Sequence, residues 1–386
     1  MVSYLLSFEY RTIHIFALLI KFFHGRPWAG LQDLLMSSDL DDQRLTSIVR
    51  DLFVANSARI FASSTVVVDD ISVEIGRKMH AREDIYHRPV LVRGATNRGP
   101  FKFELWLKWR PSIATIFPLL AELYQRLGSE VFPRPFFAWR SHSGADSFLL
   151  LERVDGRTLR NKFLQDSILR LDTSIDDLFY SSGEKMRRFH DTFKANKSVE
   201  IRLLFDNIAA LVSASNLLNS TQKLNILFQL RAYFHDFSDV KTLPVVKIHH
   251  DWTLRNILID QRKRPIVIDF DSMQAPDDLR WYDVGCFLLN VESQLKWTPL
   301  VSRRMIVSAW KAFWMGYMTA TGSPDDLSKR QIAAILYLVR VSYLVGGTFR
   351  RPYIEKFTSP LSRRFIKSML RGLEEGRYSY LERDLG

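Results

Sequence analysis

Two short apolar segments in the second half of the chain constrain its fold more than any other feature. Ile257–Asp260 and Ile266–Phe270 both have strand character, and only a short polar connection, Gln261–Pro265, lies between them. Such a connection predicts that the two segments pair as a β-hairpin. Because the surrounding sequence has mostly helical periodicity, we expect the hairpin to be a small insert in a helical region.

Three polar residues lie at the ends of this predicted hairpin. Asp251 and Asn256 are in the loop before its first strand, and Asp269 ends its second strand. Phosphoryl transfer requires a carboxylate that accepts the proton of the acceptor hydroxyl, and oxygen ligands for a Mg²⁺ ion that bridges the nucleotide phosphates. Asp251 is therefore the candidate base, and Asn256 and Asp269 are the candidate metal ligands. The competing interpretation is a chance pattern in a surface loop, and the flanking strands count against it.

The first half of the chain is predicted to be rich in strands. Ile71–Ile75, Pro89–Arg93 and Phe148–Val154 have strand-like composition, and Phe101–Trp109 alternates apolar and polar residues. This alternation predicts a half-buried strand whose polar face includes Lys108.

Helical periodicity describes most of the remaining chain. A helix is predicted after Ser112, where Pro118 requires either a kink or a later start. Beyond Gly156 the pattern is mainly helical. The chain is therefore predicted to comprise an N-terminal helical extension (1–60), a β-rich unit (61–155) and a larger helical unit (156–386).

The segments His249–Leu258 and Ile268–Asp271 resemble the aminoglycoside phosphotransferase and choline kinase group of the protein-kinase-like superfamily. The resemblance covers roughly residues 70–350. It implies an α+β, protein-kinase-like two-lobe fold, with a nucleotide-binding N-lobe (61–155) and a C-lobe (156–386) that holds the catalytic loop and the acceptor site. Asp283 resembles the later aspartate of that group, which supports the loop.

The chain also departs from the pattern of this group. It has His250, Leu254 and Arg255 where the family usually has glycine, proline and glycine. These departures affect the shape of the loop and its fit to an acceptor, but not the metal ligands.

The resemblance also predicts which residues bind the nucleotide. Lys108 resembles the lysine that holds the α- and β-phosphates in kinase-like folds. Trp106 lies on the same strand face, about 7 Å away, and is predicted to stack on adenine; a surface lysine beside a packing tryptophan is the alternative. The segment Phe148–Gly156 resembles the hinge strand, which adds Glu152 and Val154 to the predicted cofactor-binding residues. Glu122 is left open as a partner of Lys108.

These features predict an ATP- and Mg²⁺-dependent phosphotransferase that acts on a hydroxyl of a small molecule, such as a sugar, amino-alcohol, antibiotic or lipid head group. One alternative is a catalytically silent, kinase-like nucleotide-binding regulatory module, although such modules commonly lose one of the site residues. A protein-directed atypical kinase is the other, and the absence of glycine-loop, Asp-Phe-Gly and activation-segment signatures counts against it.

The charge of the chain bears on its acceptor and partners. A formal net charge of +12 and a pI of about 9.7 favour anionic partners. A neutral or anionic acceptor is therefore expected, whereas a polycation would need a local acidic patch, for which Asp277, Asp278, Asp325 and Asp326 are the candidates. Nucleic acid is not expected as a partner, because the sequence has no recognisable nucleic-acid-binding fold or stacking platform.

Composition also indicates the compartment. A single cysteine, Cys286, rules out an internal disulfide framework and fits a reducing compartment. Since no run of about 20 apolar residues exists, the chain is predicted to be cytoplasmic. Peripheral membrane contact is an added hypothesis, through the N-terminal segment around Ile15–Ile20 or through a basic C-terminal cluster from Arg350 to Lys367.

Overall fold

The computed structural model describes residues 42–61, 67–82, 85–142, 146–169, 175–274, 277–294, 301–319, 324–345 and 360–379. The predictions for Ile15–Ile20 and for Arg350, Arg351 and Lys356 of the basic cluster lie outside these residues.

The first part of the described chain is built around one antiparallel sheet. Its strands are ordered β1-β3-β4-β6-β5, with β2 paired to β3. The elements are α1 (Asp42–Ala55), α2 (Ser57–Ile60), β1 (Val68–Ile75), β2 (Met79–Arg82), β3 (Ile85–Thr96), β4 (Gly99–Trp109), α3 (Phe117–Leu127), β5 (Pro135–Arg140) and β6 (Ser147–Glu152).

The alternation predicted for Phe101–Trp109 separates the two faces of this sheet. Leu105, Leu107 and Trp109 lie on a face that packs against α1, where Leu45 and Phe53 are almost completely buried. The opposite face carries Trp106 and Lys108, whose cross-strand neighbours on β6, Leu151 and Leu149, belong to the core of the helical part. The sheet therefore lies between α1 and the helical part of the chain.

An ion pair ties α1 to the sheet. The guanidinium of Arg88 on β3 donates to both carboxylate oxygens of Asp42, at 2.6 and 3.0 Å. Its Nε donates to the carbonyl oxygen of Gly76 at 2.8 Å, so one buried side chain joins α1 to the turn after β1.

The helix predicted after Ser112 begins later. Ser112 has a φ of 62° and makes no side-chain cap, and a 3₁₀ turn, Ile113–Ile116, precedes α3. Pro118 lies in the first turn of α3, where its missing N–H costs nothing because that group would have no helical partner. Of the two predicted outcomes, a kink or a later start, the structure shows the later start.

The second part of the chain is mainly helical and contains the predicted hairpin. β10 pairs antiparallel with β11, with Leu258 opposite Ile266, and β7 pairs with the other edge of β10. The elements are β7 (Gly156–Thr158), α4 (Leu159–Leu169), α5 (Ile175–Thr192), β8 (Lys194–Glu200), α6 (Ile201–Ala214), α7 (Ser220–Phe234), β9 (Thr242–Val246), β10 (Ile257–Asp260), β11 (Pro265–Val267), α8 (Arg280–Glu292), α9 (Arg303–Thr319), α10 (Lys329–Val345) and α11 (Pro360–Glu374).

The predicted fold class is confirmed: a small β-rich lobe precedes a larger helical lobe. Among the helices of the described residues, none combines the length and the apolar character that crossing a membrane requires. Peripheral membrane contact stays a prediction.

The burial of α1 leads to a stability prediction. Phe53→Ala should lower the free energy of unfolding by about 3 to 5 kcal/mol, because Phe53 is 1% exposed and packs against the rings of Phe103, Phe136 and Phe137. Its neighbour Val54 is 51% exposed, so Val54→Ala should change stability by less than about 0.5 kcal/mol. Chemical denaturation of both variants tests this prediction, and similar losses would contradict the packing of α1 on the sheet.

Candidate active site

The loop that is predicted to be catalytic connects β9 to β10 and lies against the end of β11. The backbone N–H of Ile268 donates to the carbonyl oxygen of Asn256 at 2.8 Å, which continues the hairpin pairing beyond its regular strands. Asn256 and Asp269 consequently lie at adjacent strand ends, as the hairpin pattern predicted.

Asn256 joins the two ends of the loop. Its side-chain nitrogen donates to the carboxylate Oδ2 of Asp251 at 2.8 Å and to the backbone carbonyl of Asp251 at 3.0 Å. Because both acceptors are oxygens, the amide nitrogen must face Asp251, and the amide oxygen is the atom of this side chain that can serve as a metal ligand.

Asp251 is a half-buried carboxylate near a second one. Burial raises the pKa of Asp251 to about 6, and the negative charge of Asp269 also raises it. The hydrogen bond from Asn256 lowers this pKa but does not cancel the two other effects. This pKa is closer to neutrality than that of an ordinary aspartate, so the carboxylate holds a proton more strongly and is a better base.

Lys108 crosses from the sheet to the hairpin. Its ammonium bonds to the carboxylate of Asp269 and lies 2.5 Å from Oδ1 of Asp271. Arg110, the first residue after β4, donates to Oδ2 of Asp271 at 2.9 Å. Two cations of the small lobe therefore pair with two carboxylates of the large lobe.

The charge of Lys108 determines the ionisation of Asp269. Burial alone would raise the pKa of the Asp269 carboxyl, but the ammonium beside it lowers this pKa by its charge and its hydrogen bond, and the net pKa lies below the ordinary value. Asp269 is therefore ionised at neutral pH, which is the state that a Mg²⁺ ligand needs.

Two residues of the site have a left-handed backbone. His250 has a φ of 65° and Asp269 a φ of 67°. Aspartate tolerates this region, whereas most other side chains lose roughly 1 to 2 kcal/mol there and glycine loses nothing. The conformation explains physically why glycine is usual at the position of His250 in the family that the sequence resembles.

Asp283, at the start of α8, holds the strained loop. Its carboxylate accepts the backbone N–H groups of His249 at 2.7 Å and His250 at 2.8 Å. Nε2 of His190 lies 3.2 Å from the same carboxylate, and Nδ1 of His190 lies 3.0 Å from the hydroxyl of Tyr317. The support that the resemblance implied for Asp283 is thus present, with two further residues behind it.

The protonation state of His190 follows from its burial. Burial lowers the pKa of His190, so the imidazole is neutral, and Nε2 must carry the proton because an ionised carboxylate only accepts. Nδ1 then accepts from the hydroxyl of Tyr317. The close approach of α5 and α9 depends on Gly316, because a Cβ at this position of α9 would collide with the carbonyl oxygen of Tyr180 on α5.

The remaining predicted nucleotide-binding residues occupy different positions. Trp106 is half-buried on the face that carries Lys108, and the guanidinium of Arg153 lies 5.8 Å from its ring centre. Glu152 pairs with Leu105 on the opposite face, and its carboxylate accepts the backbone N–H of Arg134 at 3.1 Å. The backbone N–H of Glu152 also donates to the carbonyl oxygen of Arg134 at 2.8 Å, and the nucleotide contact of Glu152 stays a prediction. The role of Val154, half-buried just beyond β6, stays a prediction.

A cavity of about 310 Å³ lies beside the sheet face that carries Trp106. This volume is at the lower end of the range typical of small-molecule sites, about 300 to 1,000 Å³. Gly76, which sequence analysis did not assign, lies at its edge, where a Cβ would press against Pro89. The lining residues are Glu74, Ile75, Gly76, Pro89, Val90, Leu91, Glu104 and Arg153.

Glu122 does not pair with Lys108 in the structure. It forms an i,i+4 ion pair with Arg126 at 2.5 Å, and its side chain is 44% exposed. Lys108 instead pairs with Asp269 and Asp271, so carboxylates of the hairpin take the place that a helix glutamate could have filled.

Sequence reasoning did not identify Arg110, Asp271, His190 and Tyr317 as site residues. The alternation that identified Lys108 extends to Arg110, and Asp271 follows Asp269 at a spacing of two, so these two residues had a usable signal. His190 and Tyr317 had none, because a buried histidine or tyrosine on a helix looks like an ordinary core residue.

The donor set fits Mg²⁺. A carboxylate oxygen of Asp269 and the amide oxygen of Asn256 are hard ligands of the type this ion prefers. Within the described ranges no group of three or more histidine, cysteine, aspartate or glutamate side chains forms a metal cage. Mg²⁺ commonly takes one or two protein ligands and completes its shell with water and substrate phosphates.

Comparison with known proteins places the chain in a family. A model described as "Phosphotransferase enzyme family" matches residues 108–310. No curated protein sequence matches significantly.

Among solved structures, a protein from Ralstonia eutropha JMP134 assigned as an aminoglycoside phosphotransferase has a TM-score of 0.52 at 12% identity, over 86% of this chain and 98% of its own. A glucosamine kinase has a TM-score of 0.46 at 13% identity, over 79% and 92% of the two chains. A thermostable mutant of aminoglycoside phosphotransferase APH(4)-Ia, with ADP and hygromycin B, has a TM-score of 0.48 at 12% identity, over 84% and 98%.

At this level of identity, the first of these structures establishes the shared kinase-like fold and nothing further. The family match covers more than half of the chain and includes Lys108, Asp251, Asn256 and Asp269. The protein therefore belongs to the phosphotransferase enzyme family.

Proposed function

We propose that this protein is a small-molecule kinase that moves the γ-phosphate of ATP to a hydroxyl group, with Asp251 as the base and Mg²⁺ as the metal. The observation that carries the proposal is the meeting of Lys108, Asp269, Asn256 and Asp251 between the two lobes. A catalytically silent module would have no need to keep all four groups in one place.

Asp251 has the properties of a general base. Its Oδ2 is held by the amide of Asn256, which orients the carboxylate while leaving it able to accept a proton. The raised pKa increases its affinity for the proton of an acceptor hydroxyl. Asp283, His190 and Tyr317 hold the backbone next to this carboxylate, so they position the base without touching substrate.

The nucleotide side is assigned to Lys108, Asn256 and Asp269. Lys108 would bind the α- and β-phosphates, and Asn256 and Asp269 would hold Mg²⁺. When bound, the ion supplies positive charge that offsets the charge of the phosphates. Trp106 is assigned to adenine because it lies on the same strand face as Lys108.

The first prediction separates catalysis from binding. Asp251→Asn should lower turnover by at least about 100-fold, because it removes the base, while Mg·ATP still raises the melting temperature. Asp269→Ala should abolish that Mg²⁺-dependent shift. Asp206→Asn, a substitution at a carboxylate that is 70% exposed on α6, is the matched control and should match the wild type. Normal turnover by Asp251→Asn would exclude Asp251 as the base.

The second prediction concerns pH. Only ionised Asp251 can accept a proton, so kcat/KM should fall about tenfold per pH unit below the pKa of about 6 and level off above it. If Asp251 had the pKa of an ordinary aspartate, the fall in kcat/KM would begin near pH 4 instead. A profile of kcat/KM from pH 4.5 to 8.5 distinguishes the two cases, and a flat profile above pH 5 would contradict the assigned environment of Asp251.

The third prediction concerns the support of the loop. Tyr317→Phe should destabilise the protein by about 1 to 3 kcal/mol, because it leaves the buried Nδ1 of His190 without its donor. The amide hydrogens of His249 and His250 should also exchange faster, since their acceptor, Asp283, loses part of its support. Tyr180→Phe is the control, because the hydroxyl of Tyr180 lies 3.2 Å from Oγ1 of Thr319 at an exposed position. Equal effects of the two substitutions would remove Tyr317 from the support of the loop.

A further inference from the structure

The predicted catalytic loop contains a tight turn just before the first candidate metal ligand. The backbone N–H of Asn256 donates to the carbonyl oxygen of Thr253 at 3.0 Å, so residues 253–256 form a β-turn. Asn256 is the last residue of this turn. The position of its side-chain amide therefore depends on how the two central residues, Leu254 and Arg255, are held.

Leu254 is held at its side chain and at both polar groups of its backbone. The side chain is fully buried in the core of the helical part. The carbonyl oxygen accepts the backbone N–H of Arg160 on α4 at 2.9 Å, and the N–H of Leu254 donates to Oδ1 of Asn290 at 3.1 Å. Of these contacts, only the last depends on a polar side chain, so a substitution of Asn290 removes it without changing the turn itself.

Asn290 lies on the same face of α8 as Asp283. Seven residues are close to two helical turns, so the two positions are about 20° apart around the helix axis and about 10 Å apart along it. Asp283 accepts two backbone N–H groups just before Asp251, whereas Asn290 accepts one just before Asn256. One helix therefore supports the loop next to the candidate base and again next to a candidate metal ligand.

The end of α8 that carries Asn290 is itself held in place. The carbonyl oxygen of Asn290 accepts the hydroxyl of Ser293 at 2.7 Å and the side-chain amide of Gln294 at 2.9 Å. In the same helical turn, a carboxylate oxygen of Glu292 lies 3.0 Å from Nη1 of Arg340 on α10, and both side chains are 1% exposed. Because a buried ion pair is costly to break, α8 presents the amide oxygen of Asn290 to the loop as a fixed acceptor.

We propose that Asn290 is a positioning residue for the phosphoryl transfer, a role that rests on the proposed function, in which Asn256 is a ligand of Mg²⁺. Through the N–H of Leu254, Asn290 holds the turn that places the amide oxygen of Asn256. Without this acceptor the N–H of Leu254 loses its hydrogen bond, which favours a shift of the turn. The affinity for Mg²⁺ then falls, while the proposed contact of Lys108 with ATP remains.

Asn290→Leu tests this role, because leucine is similar in size to asparagine and has no acceptor oxygen. ATP binding is titrated by calorimetry at increasing Mg²⁺ concentrations. We expect the Mg²⁺ concentration that gives half of the full increase in ATP affinity to rise at least about tenfold, as is typical when a group that holds a metal ligand is removed. ATP affinity without Mg²⁺ should stay unchanged, and the amide hydrogen of Leu254 should exchange faster.

Two substitutions at the same end of α8 are the controls. Asn290→Asp keeps an oxygen that can accept the N–H of Leu254 in either protonation state, so it should preserve the Mg²⁺ requirement of the wild type. Ser293→Ala removes a buried hydroxyl that bonds to the backbone of Asn290 but leaves the acceptor of Leu254 in place. It should lower stability without changing the Mg²⁺ requirement. If Asn290→Leu does not fold, Asn290→Ala takes its place in each comparison.

The outcomes distinguish the positioning role from the function on which it depends. An unchanged Mg²⁺ requirement in Asn290→Leu, or an equal increase in Ser293→Ala, would overturn the role of Asn290 and leave the kinase function intact. An equal increase in Asn290→Asp would do the same, since the acceptor oxygen would then have no part in the effect. If Mg²⁺ did not raise the ATP affinity of the wild type, the proposed function and the positioning role would both fail.

Discussion

The ion pair between Lys108 and Asp269 joins the two lobes and determines the electrostatics of the site. A buried ammonium is tolerated only if it is paired, and the side chain of Lys108 is 8% exposed. Its contacts with Asp269 and Asp271 therefore require the hairpin to lie against the polar face of β4. The same ammonium keeps Asp269 ionised, and the charge of Asp269 adds to the effect of burial on Asp251. One interlobe contact thus contributes to both the ionised state of Asp269 and the raised pKa of Asp251.

The catalytic loop shows how strain at a site is offset by its support. His250 adopts a backbone conformation that glycine would adopt freely, so the loop needs contacts that hold it there. Asp283 provides them by accepting two consecutive backbone N–H groups. His190 on α5 also bonds to Asp283, and Tyr317 on α9 bonds in turn to His190. Histidine in place of glycine at position 250 therefore raises the conformational free energy of the loop. Asp251 and Asn256 are still held together by their hydrogen bond.

The first helix, α1, is part of the small lobe because it packs on the sheet. The sequence predicted helix within residues 1–60 from apolar spacing, and α1 confirms this for Asp42–Ala55. That spacing identifies a buried face but not its partner. The structure shows that the partner is the outer face of the sheet, where Phe53 meets three phenylalanine rings and Arg88 binds Asp42.

The sequence by itself determined the local features of this protein, because they depend on spacing along the chain. The period of two in Phe101–Trp109 separated the face of Lys108 from the core, and the short connection Gln261–Pro265 required a hairpin that brings Asn256 near Asp269. Only the tertiary structure decided contacts between distant segments: Asp271 with Arg110, His190 with Tyr317, and Arg160 beside the loop of Arg255. These contacts result from the packing of helices and strands far apart in sequence, and no local periodicity encodes which buried or exposed side chains will meet.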